Sequence, residues 1–147
     1  MTRPALDGVL AFAMAAALSL GACSRSDPER ELRDAIARMA AAIEARKPAD
    51  LLDRVADDFS RESGAFGKQD IKRVLAGVLL RNEKISVSAV VTETKVDGPR
   101  ATARVRVIAI GGSGLLPERG QTWDFTTHWR RDGTAWVVFN AEWQDGL

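Results

Sequence analysis

The chain has 147 residues with 21 basic and 20 acidic side chains, so its charge gives no reason to expect a nucleic-acid partner. Hydrophobic residues make up 46% and charged residues 28%, which is typical of one soluble domain and excludes wholesale disorder. One cysteine cannot close an internal disulfide, and with one histidine it cannot complete a structural zinc site. We therefore predict no metal. The glycines of residues 111–120 lack the lysine of a phosphate-binding loop, so no cofactor is predicted.

The N-terminal segment has the pattern of an export signal. Arg3 precedes residues 9–20, which contain no charged side chain and only one polar residue, Ser19. These 12 residues are too few to span a bilayer, since a membrane-crossing helix needs about 20. We therefore predict that residues 1–22 form a signal peptide that is removed on export.

The sequence Leu20-Gly21-Ala22-Cys23 ends this segment and resembles the lipobox of bacterial lipoproteins. The resemblance implies cleavage between Ala22 and Cys23, a diacylglycerol on the thiol, and a further acyl chain such as palmitate on the new amine. Each buried methylene adds about 0.8 kcal/mol, so three acyl chains would hold the protein on a membrane. Ser24 differs from the aspartate that retains lipoproteins at the inner membrane, which favours the outer membrane, facing the periplasm. An ordinary signal peptide followed by an unrelated cysteine is the alternative.

Residues 23–27 are then a lipidated tether, and residues 28–147 form the domain. Ser26 and Glu29 have capping-box spacing, and Pro28 suits a first helical turn, so a helix is predicted to start here and end near Pro48. Its apolar stripe is Leu32, Ile36, Met39 and Ile43. A short second helix is predicted to hold Leu51, Leu52 and Val55, and a third helix to hold Ile71, Val74, Leu75, Val78 and Leu79.

From Lys84 onward the hydrophobic period changes to two, which predicts four strands. The phase breaks at Val90-Val91, which predicts either a bulge or a change of the exposed face. Asp132-Gly133 predicts a hairpin, and a three-residue loop there would pair Phe125 with Phe139 and Thr127 with Val137. The predicted fold class is therefore α+β, with three N-terminal helices packed on a curved four-stranded antiparallel sheet.

Three features together resemble the nuclear transport factor 2-like superfamily. They are the first helix leading to the short second one (DLLDRVADDF), the third-helix segment, and the closing sequence RRDGTAWVVFNAEW. The resemblance covers residues 28–147 and implies a cone-shaped domain with a cavity on the concave side of the sheet. The segment between Phe59 and Ile71 is short for the early strand pair of that superfamily.

Alternating apolar residues of the later strands are the candidate lining of such a cavity. Core packing is the simpler interpretation of these residues, whereas a hollow cone would make them a pocket for a small apolar ligand. The candidates are Val105, Val107, Trp123, Phe125, Thr127, Trp129, Val137 and Phe139.

Two other hypotheses remain open at this point. An enzyme of the isomerase or dehydratase type would need a base, for which His128, Asp57 and Asp58 are candidates, although His128 is expected on the polar face of its strand. A homodimer or an envelope interaction module could use Ile108 and Ile110, which make one strand apolar on both faces. A lipid-anchored binding or interaction module without catalytic activity is the function that we expect.

Overall fold

The computed structural model describes residues 26–61, 64–112 and 119–145. The predicted signal peptide, the cleavage site at Ala22 and the lipid attachment site Cys23 lie outside these residues. The helices are α1 (Pro28–Glu44), α2 (Pro48–Leu52) and α3 (Lys68–Arg81). The strands are β1 (Val55–Arg61), β2 (Phe66–Gly67), β3 (Lys84–Asp97), β4 (Arg100–Gly112), β5 (Arg119–Asp132) and β6 (Ala135–Asp145). Within the described ranges, no helix has the length and hydropathy needed to cross a membrane.

The sheet has six strands in the order β2-β1-β6-β5-β4-β3. The predicted four-stranded antiparallel sheet is therefore wrong in strand number, and also in direction, because β1 runs parallel to β6. Val55, predicted in the second helix, is the first residue of β1, since α2 ends at Leu52. Strands β1 and β2 are short, and their apolar and polar residues do not alternate regularly. Their sequence was therefore interpreted as the end of a helix followed by a loop.

Helix α1 lies across the inner face of the sheet and contacts β3 and β6. Its N-cap is Asp27 rather than Ser26, because the Asp27 carboxylate accepts hydrogen bonds from the backbone N–H groups of Glu29 and Arg30. Leu32 and Ile36 of the predicted stripe are buried. The amphipathic pattern therefore placed the helix correctly, although it missed the capping residue.

The register of the β5–β6 hairpin differs from the one predicted for a three-residue loop. Asp132 pairs with Ala135 across a two-residue turn, and the register then shifts between the pairs Trp129–Val138 and His128–Asn140. Phe139 is the extra residue of this bulge. Beyond it, Phe125 pairs with Trp143 and Thr127 pairs with Ala141. The bulge allows Trp136 and Val138 before it, and Ala141 and Trp143 after it, to share the inner face, which no uniform register would permit.

A second bulge lies in β3, where the register against β4 shifts between Val91 and Glu93. The bulge predicted from the phase break at Val90-Val91 is thus confirmed, adjacent to that position. It restores the alternation, so Val91 opposite Val105 and Thr94 opposite Ala103 both point to the inner face.

The two ends of the molecule differ in how completely the inner face of the sheet is buried. At the closed end, where the β3–β4 and β5–β6 turns lie, the inner face is filled by buried side chains that include Leu32, Trp129 and Trp136, each at most 1% exposed. At the opposite end the inner-face residues are only partly buried. We call that end the mouth and define it by Phe66, Val107, Trp123, Phe125 and Trp143.

Candidate functional site

The mouth is built around three aromatic rings in mutual contact. The ring of Trp143 lies 5.4 Å from that of Phe66 in an edge-to-face arrangement, and 5.6 Å from that of Phe125 in a tilted one. Trp123 and Val107 pair directly across β5 and β4 beside them. These side chains are half-buried, so their rings pack against the core on one side and remain accessible to solvent on the other.

Strand β1 supplies the residue that orients Trp143. The guanidinium carbon of Arg61 lies 3.9 Å from the centre of the indole ring, and its Nη2 donates a hydrogen bond to the Trp143 carbonyl at 3.1 Å. A cation stacked on the ring and bonded to the backbone of the same residue restricts the indole to one orientation. The sequence analysis did not include Trp143 among the pocket residues. It also missed Arg61 and Phe66, which belong to the strand pair that it did not predict.

Three of the predicted pocket residues belong to the filled core. Val105, Thr127 and Trp129 are all buried. The indole N–H of Trp129 donates to Thr127 Oγ1 at 2.7 Å, and the Thr127 hydroxyl donates to the carbonyl oxygen of Ala103 at 2.9 Å. The cone is therefore filled at the level of Val105, Thr127 and Trp129.

Two other predicted pocket residues point to the opposite, outer face of the sheet. Val137 lies directly across from Arg130, which points away from the core. The ring of Phe139 lies 6.4 Å from that of His128, and its nearest cation is Arg100, at 5.3 Å. The expectation that Val137 and Phe139 line the concave side is thus wrong, because the two-residue turn between Asp132 and Ala135 pairs Val137 with Arg130, whereas the predicted three-residue loop would pair it with Thr127.

The three candidate bases all lie outside the mouth. His128 is on the outer face, where its Nδ1 is 3.4 Å from Thr102 Oγ1. Asp57 forms an ion pair with Lys68 at 2.8 Å and leaves 98% of its side chain exposed.

Asp58 forms a bidentate ion pair with Arg130, with N···O distances of 2.7 and 2.9 Å. These hydrogen bonds hold the pKa of the Asp58 carboxyl below its usual value. A carboxylate held ionised by its own arginine is poorly suited to take up and release a proton near neutral pH. Within the described ranges, no three histidine, cysteine or acidic side chains come together as metal ligands would.

The outer face carries a polar depression of about 590 Å³ over β4, β5 and β6. Arg106 and Asp124 face each other there in a two-pronged ion pair at 2.8 and 3.0 Å, which lowers the pKa of the Asp124 carboxyl. The other residues that line it are Thr92, Arg104, Val105, Phe125, Thr126, Glu142, Trp143 and Gln144. Three exposed apolar residues, Val90, Ile108 and Ile110, continue the same face toward the mouth.

The arrangement of helices on this sheet is shared with solved structures of known proteins. A proposed scytalone dehydratase from Novosphingobium aromaticivorans superposes with a TM-score of 0.66 at 15% identity, covering 81% of this chain and 84% of that one. The fold is nuclear transport factor 2-like. A proposed dehydratase of that family from Streptomyces avermitilis gives a TM-score of 0.66 at 16% identity, covering 81% of this chain and 96% of the other.

A type 2 hexachlorocyclohexane dehydrochlorinase gives a TM-score of 0.64 at 12% identity, covering 81% of this chain and 85% of that one. Identities this low show the fold alone. They confirm the α+β class and the nuclear transport factor 2-like fold. No protein-family model matches the sequence, and no curated protein matches it.

Proposed function

We propose that this protein is a lipid-anchored periplasmic module that holds a small apolar ligand at its mouth without changing it chemically. The observation that carries this proposal is the half-buried aromatic cluster of Phe66, Phe125 and Trp143 at the open end of an otherwise filled cone. Apolar sites with a few fixed polar groups are the usual form of small-molecule pockets. The fold supports the proposal, because the solved neighbours include proteins named for reactions on small organic molecules.

The filled closed end limits the size of the ligand. Trp129 and Trp136 occupy the space that a deep cavity would need, and both indole N–H groups are already hydrogen-bonded, to Thr127 and to the Pro28 carbonyl. A bound molecule would lie flat against the rings of Phe125 and Trp143. A planar aromatic compound or a short acyl chain fits this description better than a long lipid does.

Catalysis is a weaker proposal for this chain. The enzyme hypothesis needs His128, Asp57 or Asp58 to point into the cone, but His128 lies beside Thr102 on the outer face, and Asp57 and Asp58 form exposed ion pairs. The buried polar side chain of the described core, Thr127, uses its hydroxyl within the core itself. The geometry therefore supports binding more than proton transfer.

Binding can be tested by tryptophan fluorescence and thermal shift with naphthalene compounds and medium-chain fatty acids. We expect Trp143→Ala to weaken binding of these probes at least tenfold. Phe139→Ala is the matched control, because it also removes a half-buried ring of β6 but from the outer face. Equal loss in both variants, or no binding by the unchanged protein, would contradict the proposal.

The anchor is supported by Cys23 and the residues before it. Mass spectrometry of the protein purified from membranes should show an acylated N-terminal cysteine. Cys23→Ala should prevent both acylation and processing. An unmodified thiol or an intact leader would refute the anchor without affecting the binding proposal.

A second candidate function is docking of a second copy or an envelope protein on the outer face. Val90 is 49% exposed, Ile108 37% and Ile110 41%, and this apolar patch adjoins the charged depression. Ile108→Asp should lower the mass measured by light scattering if the face holds a dimer. A concentration-independent monomer in the unchanged protein would exclude the dimer.

A further inference from the structure

The start of α1 lies at the closed end of the domain. The indole N–H of Trp136 donates a hydrogen bond to the Pro28 carbonyl at 3.1 Å, and the Arg131 guanidinium forms an ion pair with Glu31 at 2.6 Å. Both partners belong to the β5–β6 hairpin, close to its turn. The point at which the tether enters the fold is therefore held against this hairpin.

The β3–β4 turn lies at the same end. The backbone N–H of Arg131 donates to the Pro99 carbonyl at 2.8 Å, so the turns at residues 97–100 and 132–135 are neighbours. Asp27, which caps α1, precedes Pro28 directly. The closed end is thus a surface made of two turns and the first turn of a helix.

The mouth lies at the other end of the same strands. Ala101 pairs with Trp129 in the closed end, and Val107 pairs with Trp123 in the mouth. At roughly 3.3 Å per residue along β4, the two levels are about 20 Å apart. Trp123 also pairs with Asp145, the last residue of β6, so the mouth opens where that strand ends.

This separation limits how the anchored domain can be oriented on the membrane. The inference rests on the lipid anchor proposed above. Four peptide units join Cys23 to Asp27 and span at most about 14 Å. With the mouth pressed on the bilayer, Asp27 would stand about 20 Å or more above the headgroups, which is farther than this tether reaches. We propose that the closed end faces the phospholipid headgroups and that the mouth opens away from the leaflet, so that ligand enters from the aqueous side.

The charges of the closed end fit a surface that is held near the membrane by its anchor and not by electrostatic attraction. Asp97 pairs with Arg100 at one turn, Asp132 lies at the other, and Arg131 forms an ion pair with Glu31. Such a mixed surface gains little from anionic lipids. The orientation should therefore be the same on vesicles with and without phosphatidylglycerol.

Energy transfer from two labelling positions tests the proposal on the full lipidated chain. Thr134 lies exposed in the closed-end turn, and Lys84 lies exposed at the start of β3, level with Gly112 at the mouth end. Because the lipid occupies the Cys23 thiol, Thr134→Cys and Lys84→Cys each carry one thiol that can be labelled. The acceptor is a headgroup dye in phosphatidylethanolamine vesicles. We expect at least about twofold greater transfer from position 134, given a separation of roughly 20 Å or more along the strands.

Flotation of the protein with the vesicles distinguishes a wrong orientation from a missing lipid anchor. Protein that floats with the vesicles but gives equal transfer, or more from position 84, would overturn the orientation and leave the anchor intact. Protein that does not float, like the Cys23→Ala chain, would overturn the anchor and the orientation together. A change of orientation on adding phosphatidylglycerol would contradict the inference that the tether, and not electrostatic attraction, sets the orientation.

Discussion

Trp129 and Thr127 are two residues apart on β5, and the indole N–H of the first donates to the hydroxyl of the second at 2.7 Å in the closed end. The Thr127 hydroxyl in turn donates a hydrogen bond to the Ala103 carbonyl of the neighbouring strand. Both side chains are buried, so neither can exchange its partner for water. This pair lets a large aromatic ring fill the closed end without leaving its N–H unsatisfied.

The first prediction concerns this hydrogen bond. Thr127→Val keeps the shape of the side chain but removes the acceptor, so the buried indole N–H of Trp129 loses its partner. We expect a loss of about 1–3 kcal/mol in the free energy of unfolding, measured by urea denaturation. Thr127→Ser keeps the hydroxyl and should retain part of that difference. Equal destabilisation by both substitutions would show that the methyl packing, and not the hydrogen bond, carries the effect.

The second prediction concerns pH. Hydrogen bonds from Arg130 lower the pKa of Asp58 from its ordinary value of 3.8, so the folded state binds this proton less readily than the unfolded state does. The contribution to stability is therefore complete above the ordinary value and is lost as the pH falls below it, through the lower pKa of the folded state.

Asp58→Asn should accordingly destabilise the protein near neutral pH, and the difference from the unchanged protein should shrink as the solution is acidified below about pH 4. Thermal unfolding between pH 7 and pH 3 measures this. The pair is exposed, so high salt should reduce the difference at pH 7. A difference that grows on acidification would contradict the assignment.

The sequence was sufficient where a long segment has one unbroken period. The stripe of Leu32 and Ile36 placed α1, and the alternation from Lys84 onward placed the later strands, because burial of one face determines these patterns. The order of elements and the closing hairpin also identified the fold. The short β1 and β2 strands were missed, since seven and two residues carry too little periodicity to distinguish a strand from a loop.

Alternation of apolar residues also predicted part of the candidate site. Trp123 and Phe125 lie on the inner face as alternation requires, whereas Val137 and Phe139 of β6 lie on the outer face because the turn joins Asp132 to Ala135 through two residues. The sequence around Asp132-Gly133 allows the turn at more than one position, and a register shift by an odd number of residues exchanges the two faces of the strand. The sequence also could not predict that the cone is filled, because that depends on how the side chains pack in three dimensions.

The third prediction concerns the exposed edge of the sheet. β3 is the long outer strand, and α1 covers part of its free edge with side chains: Glu44 Oε1 accepts a hydrogen bond from the Val87 N–H at 2.7 Å, and Arg33 donates to the Val91 carbonyl at 3.3 Å. Uncovered strand edges are templates for intermolecular pairing. The double variant Arg33→Ala, Glu44→Ala should therefore aggregate faster at high concentration, as measured by light scattering.

Arg38→Ala combined with Glu83→Ala is a suitable control for that experiment. It removes the same two charges from exposed positions, one on α1 and one just before β3. It should aggregate no faster than the unchanged protein. If both double variants aggregate equally, the effect comes from lost surface charge and the edge contacts have no special role.

The fourth prediction concerns the turn that fixes the β5–β6 register. Gly133 has a φ of 59° in the two-residue connection between Asp132 and Ala135, a conformation that L-residues with a branched side chain strongly disfavour. Nothing lies within 4 Å of where its Cβ would stand, so a substitution acts through the backbone alone. Gly133→Val should cost about 1–2 kcal/mol or more in the free energy of unfolding, whereas Gly133→Asn should cost much less because asparagine tolerates this region. Equal losses in the two variants would mean that the turn relaxes to another conformation, and amide exchange of the Arg131–Trp136 pair next to the turn would then show whether the register had moved with it.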